Sequence, residues 1–153
     1  MEYVRGLQQG EDGVEGEVYS TLFDRFFPLL SEDAAPDFIK RCAAYFNALD
    51  ESIIEHLCQA TIHYIEVFLS ETGEPIIEFA TPREVLKLVT PSVLIVPTPE
   101  GAAPVAHLEL ECQWEPEHGM EWIVRGDRVL YVGPFNGEDP WGSFSPKAAW
   151  NFA

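Results

Sequence analysis

The sequence predicts an α+β domain, with a helical N-terminal half packed on a C-terminal antiparallel β-meander of about four strands. Three observations lead there. Apolar residues recur at three- and four-residue steps from Val18 to Leu69, which is the period of one helix face. After Pro91 the period drops to two: Leu108, Leu110, Cys112 and Trp114 alternate with His107, Glu109, Glu111 and Gln113, as in a half-buried strand. Finally, 153 residues that are 46% apolar suffice for one core, and no linker divides them.

The elements follow in order. Gly6, Gly10, Gly13 and Gly16 dilute an acidic first segment, so residues 1–17 are expected to be loop-like or mobile. Leu22, Phe23, Phe26, Phe27 and Leu30 then suggest an amphipathic helix from Val18 that ends near Pro28 or Leu30. Pro36 suits the first turn of a second helix with Phe38, Ile39, Cys42, Tyr45, Phe46 and Leu49 inward. Asp50 is placed to cap a third, whose broad apolar face runs from Ile54 to Leu69 and stops at Thr72-Gly73. Thr81-Pro82-Arg83-Glu84 has the residues of a capping box before a short helix. Residues 18–90 are thus read as mainly helical, 91–135 as the meander, and 136–153 as an aromatic C-terminal strap.

Within the meander, Val93 to Val96 forms a short strand, Ala106 to Trp114 a longer one, and Met120–Arg125 and Arg128–Val132 a hairpin. Gly126-Asp127 joins that hairpin through a two-residue turn of type II′. The implied register pairs Arg125 with Arg128, Val124 with Val129 and Trp122 with Tyr131. Trp122, Val124, Val129 and Tyr131 would then share one core face.

Charge excludes several classes of function. Twenty-six acidic residues against nine basic ones leave a formal charge of −17, and the acids run throughout the chain rather than in a tail. Nucleic acid and anionic lipid both select for Lys and Arg, so neither is expected as a partner. No apolar run approaches bilayer length, and the first residues lack a signal-like apolar core. Cys42, Cys58 and Cys112 are odd in number and widely spaced, which fits a reduced, cytoplasmic compartment better than a disulfide or zinc framework.

The most distinctive local string is Trp114-Glu115-Pro116-Glu117-His118-Gly119. Placed between strands, two carboxylates and an imidazole could take a divalent cation or pass protons. The plainer reading is a loop stiffened by Pro116, with its polar groups in water. His56 and His63 lack the spacing of a helical zinc pair, and His63 with Glu66 supplies only two ligands. Cys112 with His107 or His118 is the sole nucleophile–base combination, and strand alternation sends the thiol inward. No catalytic residue, metal or cofactor is therefore assigned.

From Leu108 to Gly137 the chain resembles an uncharacterised bacterial domain family. The resemblance rests on Cys112-x-Trp114-Glu115-Pro116-Glu117-His118-Gly119 followed by Val132-Gly133-Pro134-Phe135-Asn136-Gly137, and it covers about a fifth of the chain. The first hundred residues and the Trp141-rich tail lie outside that pattern. Domains of that kind are associated with neighbourhoods of bacterial toxin and immunity proteins, which implies a binding protein and carries over no catalytic residues. The expected function is a small acidic immunity or antitoxin-like protein that neutralises a basic protein toxin by contact, through steering and groove occupancy. Its candidate contacts are Glu109, Glu111, Glu115, Glu117, His118, Glu121, Glu138 and Asp139, with Trp141 as an aromatic anchor. The alternatives are a metal-binding or hydrolytic domain built on Glu115, Glu117 and His118, and a non-catalytic interaction module that forms a homodimer.

Overall fold

A computed structural model describes residues 2–153. Seven strands form one mixed sheet: β1 (Val4–Gly10), β2 (Gly13–Ser20), β3 (Arg25–Ser31), β4 (Val89–Val96), β5 (Val105–Cys112), β6 (Glu115–Arg125) and β7 (Arg128–Pro134). Their spatial order is their chain order. Five of the six junctions are antiparallel, but β3 and β4 are parallel, at Leu29↔Leu94, Leu30↔Ile95 and Ser31↔Val96. A parallel pair needs a crossover, and α1 (Pro36–Asn47), α2 (Glu51–Thr72) and a 3-10 segment (Pro82–Leu88) supply it.

Both helices cover one face of the sheet. Val18, Phe27, Leu29, Leu94, Leu108, Leu110 and Trp122 meet Phe38, Ile39 and Phe46 of α1 and Leu57, Ala60 and Tyr64 of α2. Trp122 lies at the centre, fully buried; its indole N–H donates to Thr61 Oγ1 at 3.2 Å and its ring stacks on Phe23. Helix α2 begins as its sequence requires. The Asp50 carboxylate accepts the Ile53 N–H at 3.0 Å, and the bonds from Ser52 and Ile53 hold its carboxyl below the usual range.

The chain beyond β7 covers part of the opposite face. There Val105, Ile123 and Tyr131 pack under Trp141 and Phe144, and the Trp141 indole donates to the Thr98 carbonyl at 2.8 Å. The strap then rounds the β7 edge. Asn151 bonds Leu130 O and Val132 N–H, and the Phe152 N–H donates to Val132 O at 2.8 Å, so the edge strand is capped. Gly133 permits this close passage, since a Cβ there would lie 2.4 Å from the Trp150 carbonyl oxygen. Phe152 ends on the helix face, stacked on Tyr64 at 5.2 Å.

This architecture corrects the expected one. The fold is not a helical half on a four-stranded meander: three of the seven strands precede the first helix. Residues 18–30, read as a helix, are most of the β2–β3 hairpin. Their aromatic and β-branched side chains fit both periods, and long-range pairing selected the strand. Its turn carries no glycine; Asp24 takes the left-handed conformation instead, with φ 52°. Pro28 is tolerated because the β3–β4 pairing starts one residue later, at Leu29. Residues 4–10 and 13–17 are likewise strand rather than loop, and Met1 lies outside the described residues. Gly13 is there for space, since a Cβ would sit 2.3 Å from the Ser31 carbonyl oxygen.

Further corrections concern detail. The short helix after Thr81 is a 3-10 segment with no side-chain cap. The β6–β7 turn keeps the Arg125↔Arg128 and Val124↔Val129 pairs, but a bulge between Ile123 and Val124 sets Trp122 opposite Val132 and Ile123 opposite Tyr131. That one-residue slip moves Tyr131 to the strap face. Helices α1 and α2 match the expected ones closely.

Candidate functional site

The strap covers only β5 to β7, so the rest of its sheet face stays open. Strand alternation decides what lies there. Val18, Phe27, Leu29, Leu94 and Val96 point to the helices; their neighbours Glu17, Pro28, Leu30, Val93 and Ile95 therefore take the other side. Leu30, in mid-sheet, is 43% exposed. Registers join these residues in rows: Glu15 beside Leu30 beside Ile95, and Val93 beside Glu109. The result is an apolar strip on β3 and β4, with Glu15 and Glu17 on one flank and Glu109 and Glu111 on the other. Three strand spacings separate the flanks, about 14 Å.

The flanks are not equally available. Glu17 is paired with Arg5 at 2.9 Å, while the Arg5 guanidinium also lies over the Phe26 ring, 3.5 Å from its centroid. Glu15 accepts a bond from the Gln8 amide. Among the described residues no Lys or Arg pairs with Glu15, Glu109 or Glu111. Glu109 is half-buried and Glu111 exposed.

The Trp114–Gly119 string is placed differently from the loop expected for it. Gln113 and Trp114 form a tight turn, and Glu115 already pairs with Cys112 as the first residue of β6. A wide bulge follows before Met120 rejoins Leu110. Glu115 accepts the Tyr64 hydroxyl at 3.0 Å, and its other oxygen contacts His118 Nδ1. Burial, reinforced by Glu115, pushes the Tyr64 hydroxyl well above the usual tyrosine range. Glu117 and His118 are exposed. Among the described residues no group of three His, Cys, Asp or Glu side chains could hold a metal ion.

The remaining candidates scatter. Glu121 is not a surface contact: it is fully buried under the strap, against His107. Its two oxygens accept the Asn136 and Glu138 N–H groups at 3.0 Å each. Glu138 is half-buried and its carboxylate accepts the Asn136 amide. Asp139 is exposed and caps the Trp141 N–H. Trp141 is half-buried, tied to Thr98. Cys112 faces the helix side, opposite in phase to His107, and burial pushes its thiol up to about 12. So Glu109 and Glu111 share one surface, Glu115 and His118 another, and the strap residues a third. Glu15 falls in the segment expected to be loop, Leu30 in the expected helix, and Ile95 in a strand whose β3 partner that reading removes. The alternation of Val14, Gly16 and Val18 with Glu15 and Glu17 is a period-two signal in β2, and β3 carries none.

No helix among the described residues is long and apolar enough to cross a membrane. No curated protein and no solved structure matches the chain. A family profile does, over residues 7–140, a span that takes in most of β1, all of β2 to β7 and both helices. The chain belongs to the family described as domain of unknown function DUF6985.

Proposed function

We propose that the protein is a small acidic binding protein that holds a basic protein partner on the open face of its sheet, as an immunity or antitoxin protein holds a toxin. The observation that carries this reading is the apolar strip in mid-sheet between carboxylates, with Pro28 and Leu30 exposed and Val93 and Ile95 half-buried beside them. An uncovered apolar centre with a charged rim is the anatomy of a protein interface. The carboxylates and the overall charge of −17 select a basic partner and speed its approach. The resemblance of Leu108–Gly137 to a family associated with toxin and immunity neighbourhoods implies the same class of partner. Three buried free cysteines suit the reduced cytoplasm in which such a partner would be neutralised.

The test is co-expression with the product of the neighbouring gene, followed by binding kinetics. Leu30→Asp should abolish the complex and any rescue from toxicity. Glu15→Lys with Glu109→Lys and Glu111→Lys should slow association and flatten its salt dependence. Unchanged binding by both variants, with folding intact by circular dichroism, overturns this interface.

A further inference from the structure

The nine Lys and Arg residues of this acidic chain are not evenly placed. Arg125, Arg128 and Lys147 line a single cleft of about 670 Å³ between the β6–β7 turn and the strap, whose wall also holds Asp127 and Ala153. Volumes of this size accommodate a small organic ligand. Trp141 and Phe144 supply two half-buried aromatic walls.

The arrangement of the two arginines is the telling feature. Arg125 and Arg128 are direct cross-strand partners on either side of the two-residue turn. Like charges in that relation repel, and twenty-six carboxylates were available to neutralise them. Among the described residues neither guanidinium forms an ion pair. Arg125 is half-buried and spends only Nη1, on the Pro140 and Gly142 carbonyls. Its Nε and second amino group have no protein acceptor among the described residues. Lys147 is held nearby by the Ala153 carbonyl at 2.9 Å.

We infer that this cleft binds a small phosphate-bearing ligand, with Arg125 and Arg128 gripping the phosphate and the aromatic walls receiving its organic part. Guanidinium donors match phosphate oxygens in pairs, and a bound dianion removes the repulsion between the two arginines. The surrounding negative charge favours a compact anion over a polyanion such as nucleic acid. This site lies at the strap, away from the strip on β3 and β4, and does not depend on it.

The experiment titrates the intact protein with inorganic phosphate, pyrophosphate and adenosine monophosphate at constant ionic strength, with adenosine as the uncharged control. Thermal denaturation and amide chemical shifts are the readouts. At least one phosphate compound should raise the melting temperature and shift resonances of 125–128 and 141–147, while adenosine does neither. Arg128→Gln, at an exposed turn position, should weaken that response about tenfold without lowering the melting temperature of the free protein. The site is overturned if none of the three phosphate probes acts, or if Arg128→Gln responds as the parent does.

Discussion

His107 and Glu121 form a buried pair beneath the C-terminal strap: the imidazole Nε2 contacts a carboxyl group that has no exposed surface. The same carboxylate anchors the strap through the Asn136 and Glu138 N–H groups. Removing it takes the partner from the buried His107 imidazole and from two part-buried backbone donors. Glu121→Ala should therefore destabilise the fold by about 3–5 kcal/mol, read from urea denaturation. A loss below about 1 kcal/mol would show that the strap does not depend on this carboxylate.

Trp122 and Thr61 give a smaller, cleaner case. The Thr61 hydroxyl donates to the Leu57 carbonyl and accepts the indole N–H, all within the core. Thr61→Val keeps the shape and orphans one donor, so the expected cost is about 1–3 kcal/mol. Near-ultraviolet circular dichroism of the Trp122 environment should stay native; collapse of that signal would point to a packing role instead.

The β7 edge rests on Asn151. Its amide side chain replaces a missing neighbouring strand by bonding Leu130 O and Val132 N–H. Asn151→Ala should cost about 1–3 kcal/mol and promote self-association through the uncovered edge. Light scattering near the midpoint of denaturation checks the second effect, and a fully monodisperse variant would refute it.

Alkaline pH should weaken the fold. Burial raises the Cys58 thiol from 9.0 to about 11, the Cys112 thiol from 9.0 to about 12, and the Tyr45 hydroxyl from 10.0 to about 12. Each folded value lies above its unfolded one, so the unfolded chain releases these protons first. Their contribution is complete below about pH 9 and is lost as pH climbs toward about 12. Urea midpoints measured across that range should fall steadily. In the native state at neutral pH, all three buried cysteines should resist a thiol reagent that labels them fully in denaturant. Rapid native labelling of any one would contradict its burial.

Legibility in the sequence varied with how local each determinant is. Helices α1 and α2 carry their own start and stop signals: Pro36, Asp50 and Gly73. The β6–β7 turn is likewise marked by Gly126. The β2–β3 hairpin is not so marked, because Leu22, Phe23, Phe26, Phe27 and Leu30 satisfy a helical period. Only partners distant in sequence, Leu94 and Ile95, decide against it. The same holds for function. Glu109 and Glu111 were visible as an outward-facing pair, but Leu30 and Glu15 join them only through strand order. Glu121 sits at an alternating position like theirs and is lost to the surface because the strap, a long-range element, closes over it.

The parallel junction of β3 and β4 also divides the molecule. It is made by three residue pairs, whereas β2 and β3 share seven. Every other junction joins strands linked by a short connection, while this one must wait for residues 32–88 to close a loop. Two antiparallel stacks, β1 to β3 and β4 to β7, can each assemble locally before the helices bring them edge to edge. The seam is then the last contact made and the first released, and amides at 29–31 and 94–96 should exchange with solvent sooner than their burial suggests. The open apolar strip straddles this line, so a protein seated on Leu30 and Ile95 would act as a clamp across the two halves and slow their parting.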